Sequence, residues 1–294
     1  MERENRYYDQ IMELNGMEDM REEIRHWEIL AENIGQFPPE QEILLPDYFW
    51  IAQAGSGKSM LLNLMANYLE EREIMSFTGN KKVIEFELGY CPKGEPFREL
   101  SRLIERISYE AGYRQRFRGI LAVHISAWAG HMHEKYMYSF LEFLAENTKD
   151  WLIVLIADVD EEQARIMKKQ IAYHLRIKTV EIRLPQADVL YGYLEKKCKA
   201  YGIQIDEEAG KILKDTIHAL KDSSHFEGYN TLNLMAQEMI YELYSQRRLV
   251  SKVITGEMLS AYGADGDYTK NYMETVSKKQ KIGFSYEKQE GAEE

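Results

Sequence analysis

The chain has little cysteine and no long apolar run, and each shortage excludes a class of protein. Its 294 residues include two cysteines, Cys91 and Cys198. They lie far apart, which excludes a disulfide framework and a cysteine-based zinc ribbon. The longest apolar run, 151–157, is far shorter than the roughly 20 residues that cross a bilayer. The charged N-terminus lacks the apolar segment of a signal peptide. We expect a soluble, cytoplasmic protein with no membrane contact.

Positive charge is also in short supply. Lys and Arg number 37 against 49 Asp and Glu, which gives a formal net charge of −12. Because nucleic-acid affinity comes from neutralising phosphates, we do not expect a general nucleic-acid binder. Neither a Gly-x-Ser-x-Gly elbow nor a Ser–His–Asp order is present. His124, His131 and His133 lie close in sequence but lack a fourth ligand at zinc spacing, so no metal site is assigned to them.

Strand and helix patterns alternate along the first two thirds of the chain. Apolar runs of strand length predict five strands, at 48–52, 83–88, 119–126, 151–157 and 180–184. Amphipathic stretches predict helices between them, at 60–71, 97–109, 134–147 and 161–175. Such alternation is typical of an α/β fold, here a five-stranded parallel sheet with helices on both faces.

Changes in pattern divide the chain into four segments. A helical N-terminal segment over 1–46 is broken near Gly16 and precedes the sheet domain, 47–185. After Pro185 the strands stop, and helical patterns over 189–201, 206–220 and 230–247 predict a small all-α lid domain, 186–263. The polar, Lys/Glu-rich remainder, 264–294, is predicted to be a flexible tail.

The octet Ala-Gln-Ala-Gly-Ser-Gly-Lys-Ser at 52–59 differs from the phosphate-loop pattern G-x-x-x-x-G-K-[ST] only at its first position. In that loop the glycines allow positive φ, the lysine reaches the β- and γ-phosphates, and the final hydroxyl, here Ser59, ligates Mg²⁺. An ordinary glycine-rich turn is the alternative. A buried strand before the octet and a helix after it favour the phosphate loop. The candidate nucleotide-binding residues are Ala54, Gly55, Ser56, Gly57, Lys58, Ser59 and Met60.

The phosphate loop, the five strands and the helical second domain together resemble the AAA+ ATPases. The stretches 14–24 and 175–178 are similar to the CbxX/CfxQ and stage V sporulation protein K group. The resemblance implies ATP and Mg²⁺ held between the two domains, a protein client, and a ring, usually of six AAA+ subunits of one or several kinds. Arg176 matches the arginine finger that acts on a neighbouring subunit, and Lys178 stands where a second arginine often sits. The alternative for Arg176 is a surface arginine before a strand.

The chain departs from that family at positions that serve hydrolysis or mechanical work. Its third strand ends in His124 and Ile125, where the family has the Asp-Glu of the Walker B motif. Imidazole is a poor ligand for Mg²⁺, and isoleucine cannot activate water. The second-domain arginine is missing from 228–232. Pro92 replaces the aromatic residue of the pore loop, with Tyr90 out of register. The degenerate Walker B motif predicts weak or absent hydrolysis.

Asp158 and Asp160 follow the fourth strand and add an alternative to the loss of hydrolysis. In this fold the fourth strand lies between the first and third, so Asp158 could replace the missing acid or occupy a polar sensor position. It could instead cap the next helix together with Glu161. Three functions remain open: an ATP-binding structural or regulatory ring subunit with little hydrolysis, an active AAA+ ATPase that remodels a protein, and a nucleotide-independent binding scaffold.

Overall fold

The computed structural model describes residues 6–36, 45–78, 81–91, 98–110, 117–223, 225–245, 251–262 and 265–280. The chain divides into two compact units, Met1–Leu184 and Pro185–Glu294. The boundary predicted between residues 185 and 186 lies one residue from this division. Within the described ranges, no helix has the length and apolar character needed to cross a bilayer.

The first unit is built on a five-stranded sheet. Its elements are α1 (Arg6–Met12), α2 (Glu18–Glu32), β1 (Asp47–Ala52), α3 (Lys58–Glu71), β2 (Val83–Glu87), α4 (Arg98–Glu110), β3 (Gly119–His124), α5 (Lys135–Ala145), β4 (Trp151–Ala157), α6 (Glu161–Ile171) and β5 (Ile177–Ile182). The strands follow the order β2-β3-β4-β1-β5, and each neighbouring pair is parallel. The predicted α/β fold with a parallel sheet is confirmed, including the position of β4 between β3 and β1.

Both faces of the sheet are covered. Every residue of the central strand β4 is buried, as expected where helices pack on both sides of a parallel sheet. Successive residues of β1 point to opposite faces. Tyr48 and Trp50 join the core beneath α1, α2 and α3, whereas Phe49 joins the core beneath α5 and α6. Strand β1 is thereby fixed in the sheet, and its carboxyl end holds the loop that follows it.

The N-terminal helices belong to this unit and are not a separate segment, which corrects the predicted division at residue 46. Met20, Ile24 and Trp27 of α2 are buried in the same core as β1. Glu23 accepts hydrogen bonds from the Tyr48 hydroxyl and the Lys178 ammonium group, both at 2.8 Å. The predicted break at Gly16 is confirmed, since that residue has φ of 76° between the two helices.

Several element ends differ from the predictions by one to four residues, and two of these differences have a clear physical reason. Helix α3 begins at Lys58, two residues before the predicted start, because its first turn is polar and the apolar pattern begins only at Leu61. Strand β5 covers Ile177–Ile182 and not 180–184. It is an edge strand with exposed residues, so its first half lacks the apolar run by which a buried strand is recognised.

The second unit is mainly helical. It contains α7 (Ala187–Ala200), β6 (Gln204–Ile205), α8 (Glu207–Lys221), α9 (Tyr229–Tyr244), β7 (Val253–Ile254), α10 (Gly256–Ser260) and α11 (Tyr268–Gln280). The short parallel pair β6–β7 adds to the predicted helices. Helix α11 corrects the predicted flexible tail, because Tyr268 and Tyr272 are buried and anchor it within this unit. Residues 281–294 of that predicted tail lie outside the described ranges.

Candidate nucleotide-binding site

Two glycines shape the loop between β1 and α3. Gly55 has φ of 65° and Gly57 has φ of 88°, a left-handed conformation that glycine adopts without the cost of a side chain. This turn brings the chain from the buried strand into a helix that begins at Lys58. The first N–H groups of a helix have no intrahelical acceptor and carry positive partial charge, which suits a phosphate. The loop therefore has the backbone form that the octet predicts.

Ala52, the departure from the phosphate-loop pattern, lies in the strand and not in the turn. It is the last residue of β1, is 1% exposed, and belongs to the core beneath α3. Its extra methyl group packs in that core, so the substitution leaves the phosphate-facing surface free. Ser56 in the loop is fully buried, and its hydroxyl has no hydrogen-bond partner in the described structure. This orphaned hydroxyl fits a loop that gains polar contacts on binding an anion.

Lys58 is the cation of the site. Its ammonium group donates to the backbone oxygen of Gln53 at 3.0 Å. Burial lowers the pKa of Lys58, while the carboxylates of Asp158, Glu85 and Glu87 raise it. A partly desolvated ammonium group interacts more strongly with a phosphate than one in bulk water does, and the three nearby carboxylates oppose that attraction.

A carboxylate from the neighbouring strand lies beside the second polar residue of α3. The Ser59 hydroxyl donates to Glu85 Oε2 at 2.8 Å. His124 Nε2 lies 3.6 Å from the same oxygen. The His124 ring has the largest effect on Glu85 and lowers its pKa, as does the Ser59 hydrogen bond. Glu85 is ionised at neutral pH, since both partners stabilise the anion.

Sheet register explains why this carboxylate faces the phosphate loop. Glu85 and Glu87 are opposite Ala122 and His124 in the β2–β3 ladder, so all four residues lie on one face of the sheet. Ala122 belongs to the core that also contains Leu61 and Leu62 of α3. The sequence interpretation overlooked Glu85. The available signal was the acidic pair on alternate residues of a strand whose other residues are mainly apolar.

Ile125, which the resemblance predicts at the second Walker B position, does not reach the site. It is fully buried and packs in the core on the opposite face of the sheet from α3. Its backbone N–H donates to the oxygen of Ile156 at 2.8 Å, which continues the pairing of β3 with β4. Position 125 therefore serves packing, and its side chain offers no group for water activation.

Asp158 contacts the phosphate loop. Its Oδ2 accepts from the backbone N–H of Ala54 at 2.8 Å, and its own N–H donates to the Ser126 hydroxyl at 3.0 Å. The helix-capping role that was the alternative for Asp158 belongs to Asp160, which accepts from the N–H of Gln163 at 2.8 Å. Strand order explains the contact between Asp158 and the phosphate loop, because β4 and β1 are neighbours and their carboxyl ends lie side by side.

Arg176 lies at the amino-terminal ends of the strands, opposite the carboxyl ends that hold the phosphate loop. It directly precedes β5, and its backbone oxygen accepts from the N–H of Asp47 at the start of β1. The phosphate loop follows the far end of β1, about 20 Å away at roughly 3.3 Å per strand residue. The exposed Arg176 side chain therefore cannot contact its own phosphate loop. Lys178 forms an ion pair with Glu23, at 2.8 Å to each carboxylate oxygen.

The aromatic residue near the predicted pore loop packs on a neighbouring turn. The ring of Tyr90 stacks on His131 with centroids 3.9 Å apart, and its hydroxyl donates to Glu134 at 2.9 Å. Pro92 lies outside the described residues. Where the structure describes side chains, no group of three or more His, Cys, Asp or Glu residues could hold a metal ion.

Among known proteins, similarity to this chain was found only in the comparison with solved structures. No protein-family model matches the chain, and no curated protein is significantly similar to it. Domain III of the Thermotoga maritima replication initiation protein DnaA aligns at 12% identity and a TM-score of 0.41, covering 75% of this chain and 85% of that one.

A second solved structure is the closed state of Hsp104 with ATPγS and FITC casein. It aligns at 12% identity and a TM-score of 0.48, over 85% of this chain and 49% of the Hsp104 chain. This chain therefore matches about half the length of Hsp104. Both TM-scores are below 0.5, so these likenesses carry no argument about family or function.

Proposed function

We propose that this chain is an ATP–Mg²⁺-binding subunit of AAA+ type that hydrolyses ATP weakly or not at all. The carrying observation is the loop after β1, in which Gly55 and Gly57 adopt positive φ and present Lys58 and Ser59 at the start of α3. A glycine turn, an ammonium group and a helix N-terminus at the carboxyl end of a parallel strand form a triphosphate site.

Three features support the AAA+ assignment. The sequence resembles that superfamily in its phosphate loop, the strand order has β4 between β1 and β3, and a mainly helical unit follows the sheet. The finer assignment to the CbxX/CfxQ group rests on sequence resemblance alone. The backbone N–H groups of Gly55 and of 57–60, together with the Lys58 ammonium group, would hold the phosphates, and Ser59 would hold the metal. The N–H groups of Ala54 and Ser56 already donate within the protein. When bound, Mg²⁺ would neutralise charge on the β- and γ-phosphate oxygens.

Weak hydrolysis follows from the groups at the end of β3. Ile125 is buried on the opposite face, and His124 lies between two carboxylates, 3.6 Å from Glu85 and 4.0 Å from Glu87. The chain therefore has no carboxylate at either Walker B position to orient an attacking water. Each missing acid–base group is worth about 10²–10⁴ in rate. We propose a structural or regulatory role, in which bound nucleotide orders the subunit.

The position of Arg176 supports assembly. Arg176 is exposed at the amino-terminal ends of the strands, away from its own phosphate loop. It would therefore act only on the site of another subunit. We propose a ring with other AAA+ subunits, six in number, of one kind or mixed, acting on a protein client in the cytoplasm. An arginine in this role stabilises charge on the transferred phosphate.

An active ATPase is the second candidate, and Asp158 favours it. Its carboxylate lies 2.8 Å from the backbone nitrogen of Ala54 in the phosphate loop, so it could act on a bound nucleotide's water. The two candidates differ in turnover. Steady phosphate release by the wild type that is lost in Asp158→Ala would favour the active ATPase, whereas background release by the wild type favours the binding subunit.

The binding experiment compares Lys58→Ala with the wild type by calorimetric titration with ATP and excess Mg²⁺. We expect micromolar affinity for the wild type and about 10–100-fold weaker binding for the variant, since a hydrogen bond to a charged group is worth roughly 1.5–3 kcal/mol. Lys149→Ala is the matched control, because this exposed lysine precedes β4 at the amino-terminal ends of the strands, away from the phosphate loop. Unchanged nucleotide affinity together with an unchanged oligomeric state in Lys58→Ala would support the nucleotide-independent scaffold.

A further inference from the structure

The third strand lacks the family's metal-binding aspartate, yet a carboxylate lies beside the hydroxyl that would ligate the metal. Glu85 Oε2 accepts from Ser59 Oγ at 2.8 Å. We infer that Glu85, from β2, supplies the protein carboxylate for the Mg²⁺ of the bound nucleotide, one strand away from the usual position. This inference rests on the proposed function and adds a residue to that same site.

The distance between the two oxygens fits joint ligation. Mg²⁺ takes octahedral geometry with oxygen ligands at 2.0–2.1 Å, so two adjacent ligands lie about 2.9 Å apart. The Ser59 and Glu85 oxygens already have that separation. Ser59 and Glu85 would each offer one oxygen to the ion. Little movement of either side chain is then required.

A single carboxylate is sufficient for such a site. Mg²⁺ in nucleotide sites keeps several waters and is held by one or two carboxylates together with substrate phosphates. The lack of a three-residue metal cluster in the described part of the chain is therefore compatible with this role. Glu85 has a side chain 31% exposed, against 70% for Glu87, so it is the more sheltered and better-fixed carboxylate of the two.

His124 has a positioning role in this arrangement. Its Nε2 lies 3.6 Å from Glu85 Oε2, and its Nδ1 lies 4.0 Å from Glu87 Oε2. An aspartate at position 124 would add a third negative charge to this face of the sheet and repel both glutamates. The imidazole adds no negative charge there and lies beside both glutamates. The histidine at the Walker B position and the glutamate on β2 thus form a consistent pair of changes.

Asp158 is the competing carboxylate. Its Oδ2 accepts from the Ala54 backbone N–H at 2.8 Å, and no hydrogen bond joins it to Ser59 within the described residues. That contact fits a carboxylate that holds the phosphate loop in place. Glu85, in contrast, directly contacts the side chain that the phosphate-loop pattern assigns to the metal.

The experiment measures the affinity of a fluorescent ATP analogue with excess Mg²⁺ and with EDTA, in wild type and in Glu85→Gln. We expect Mg²⁺ to strengthen binding to the wild type. In Glu85→Gln this gain should shrink by about 10–100-fold, the effect typical of losing a group that supports a metal site, while affinity in EDTA is retained. Glu87→Gln is the matched control, with the same charge change on the same face of β2, and should keep the gain.

Paramagnetic Mn²⁺ gives a readout that does not depend on turnover. With ATP present, and relative to Mn²⁺ and ATP without protein, the electron paramagnetic resonance spectrum should show protein-bound Mn²⁺ for wild type and Glu87→Gln and much less of it for Glu85→Gln. Thermal unfolding verifies that each variant is folded. An unchanged Mg²⁺ gain and unchanged Mn²⁺ binding in Glu85→Gln, with both lost in Asp158→Asn, would overturn the assignment in favour of Asp158. Absence of nucleotide binding by the wild type would instead refute the proposed function.

Discussion

Asp47→Asn tests whether the sheet contains a buried acid that weakens it at neutral pH. Asp47 is the first residue of β1 and is 6% exposed. Its carboxyl oxygen accepts from the N–H of Ile153 at 3.1 Å, just before the β1–β4 pairing begins at Tyr48 and Val154. Burial raises the pKa of Asp47 to about 7, and the hydrogen bond from Ile153 opposes that rise only in part.

The sign and size of the effect follow from this shift. Between pH 3.8 and about 7 the folded protein holds a proton that the unfolded chain releases. The stability from neutral Asp47 is therefore complete below pH 3.8 and is lost as pH rises through 7. A shift of about three units corresponds to at most about 4 kcal/mol. Asparagine keeps the acceptor for Ile153 but cannot ionise, so we expect Asp47→Asn to be more stable than wild type at pH 8.

Urea unfolding at pH 5 and pH 8 measures the difference, followed by tryptophan fluorescence, which reports on the first unit because all four tryptophans lie there. The stability gain of Asp47→Asn over wild type should be larger at pH 8 than at pH 5. The difference should build up between pH 5 and pH 7, at up to about 1.4 kcal/mol per pH unit. Asp9→Asn, at an exposed position of α1, should show no such pH dependence. A gain that is equal at both pH values would refute the reasoning.

Two smaller predictions concern stability, both measured by the same unfolding assay. Asp160→Ala removes the side chain that caps α6 and should cost about 1 kcal/mol, whereas Asp160→Asn, which keeps an acceptor, should lose little; equal loss in both would contradict the capping role. Tyr48→Phe removes the buried donor to Glu23 and should cost about 1–3 kcal/mol, because the carboxylate loses a partner in a desolvated position; unchanged stability would show that Lys178 alone satisfies it.

The sequence was most informative where burial was complete. Strand β4 is buried along its whole length, so its apolar run marked it at the observed residues. Strand β5 at the edge contains exposed Lys178 and Glu181, and its start was misplaced. Helix α11 was missed because its composition is polar, although Tyr268 and Tyr272 anchor it in the second unit. Edge strands and polar helices owe their structure to tertiary contacts that local pattern does not contain.

Some residues of the candidate site could likewise be predicted from the sequence, and others could not. The phosphate loop could be recognised because its residues are contiguous and each has a distinct chemical purpose. Glu85 lies 26 residues from Ser59, and its position beside α3 depends on β2 being the neighbour of β3. Sequence pattern gave the strands but not the pairing that joins these two residues. The same dependence on strand order explains why Asp158 was recognised as a candidate only through the expected fold.

Under the proposed function, the residues at the two expected Walker B positions have different consequences. Ile125 is buried on the face away from the phosphate loop, so under the proposed function position 125 supplies no group that activates water. His124 lies within 4 Å of Glu85, which contacts Ser59 and is the residue that we propose for the metal. A subunit that keeps Mg²⁺ but lacks a base would retain tight, metal-dependent nucleotide binding without turnover. That combination is expected of a subunit whose bound ATP persists as a structural element.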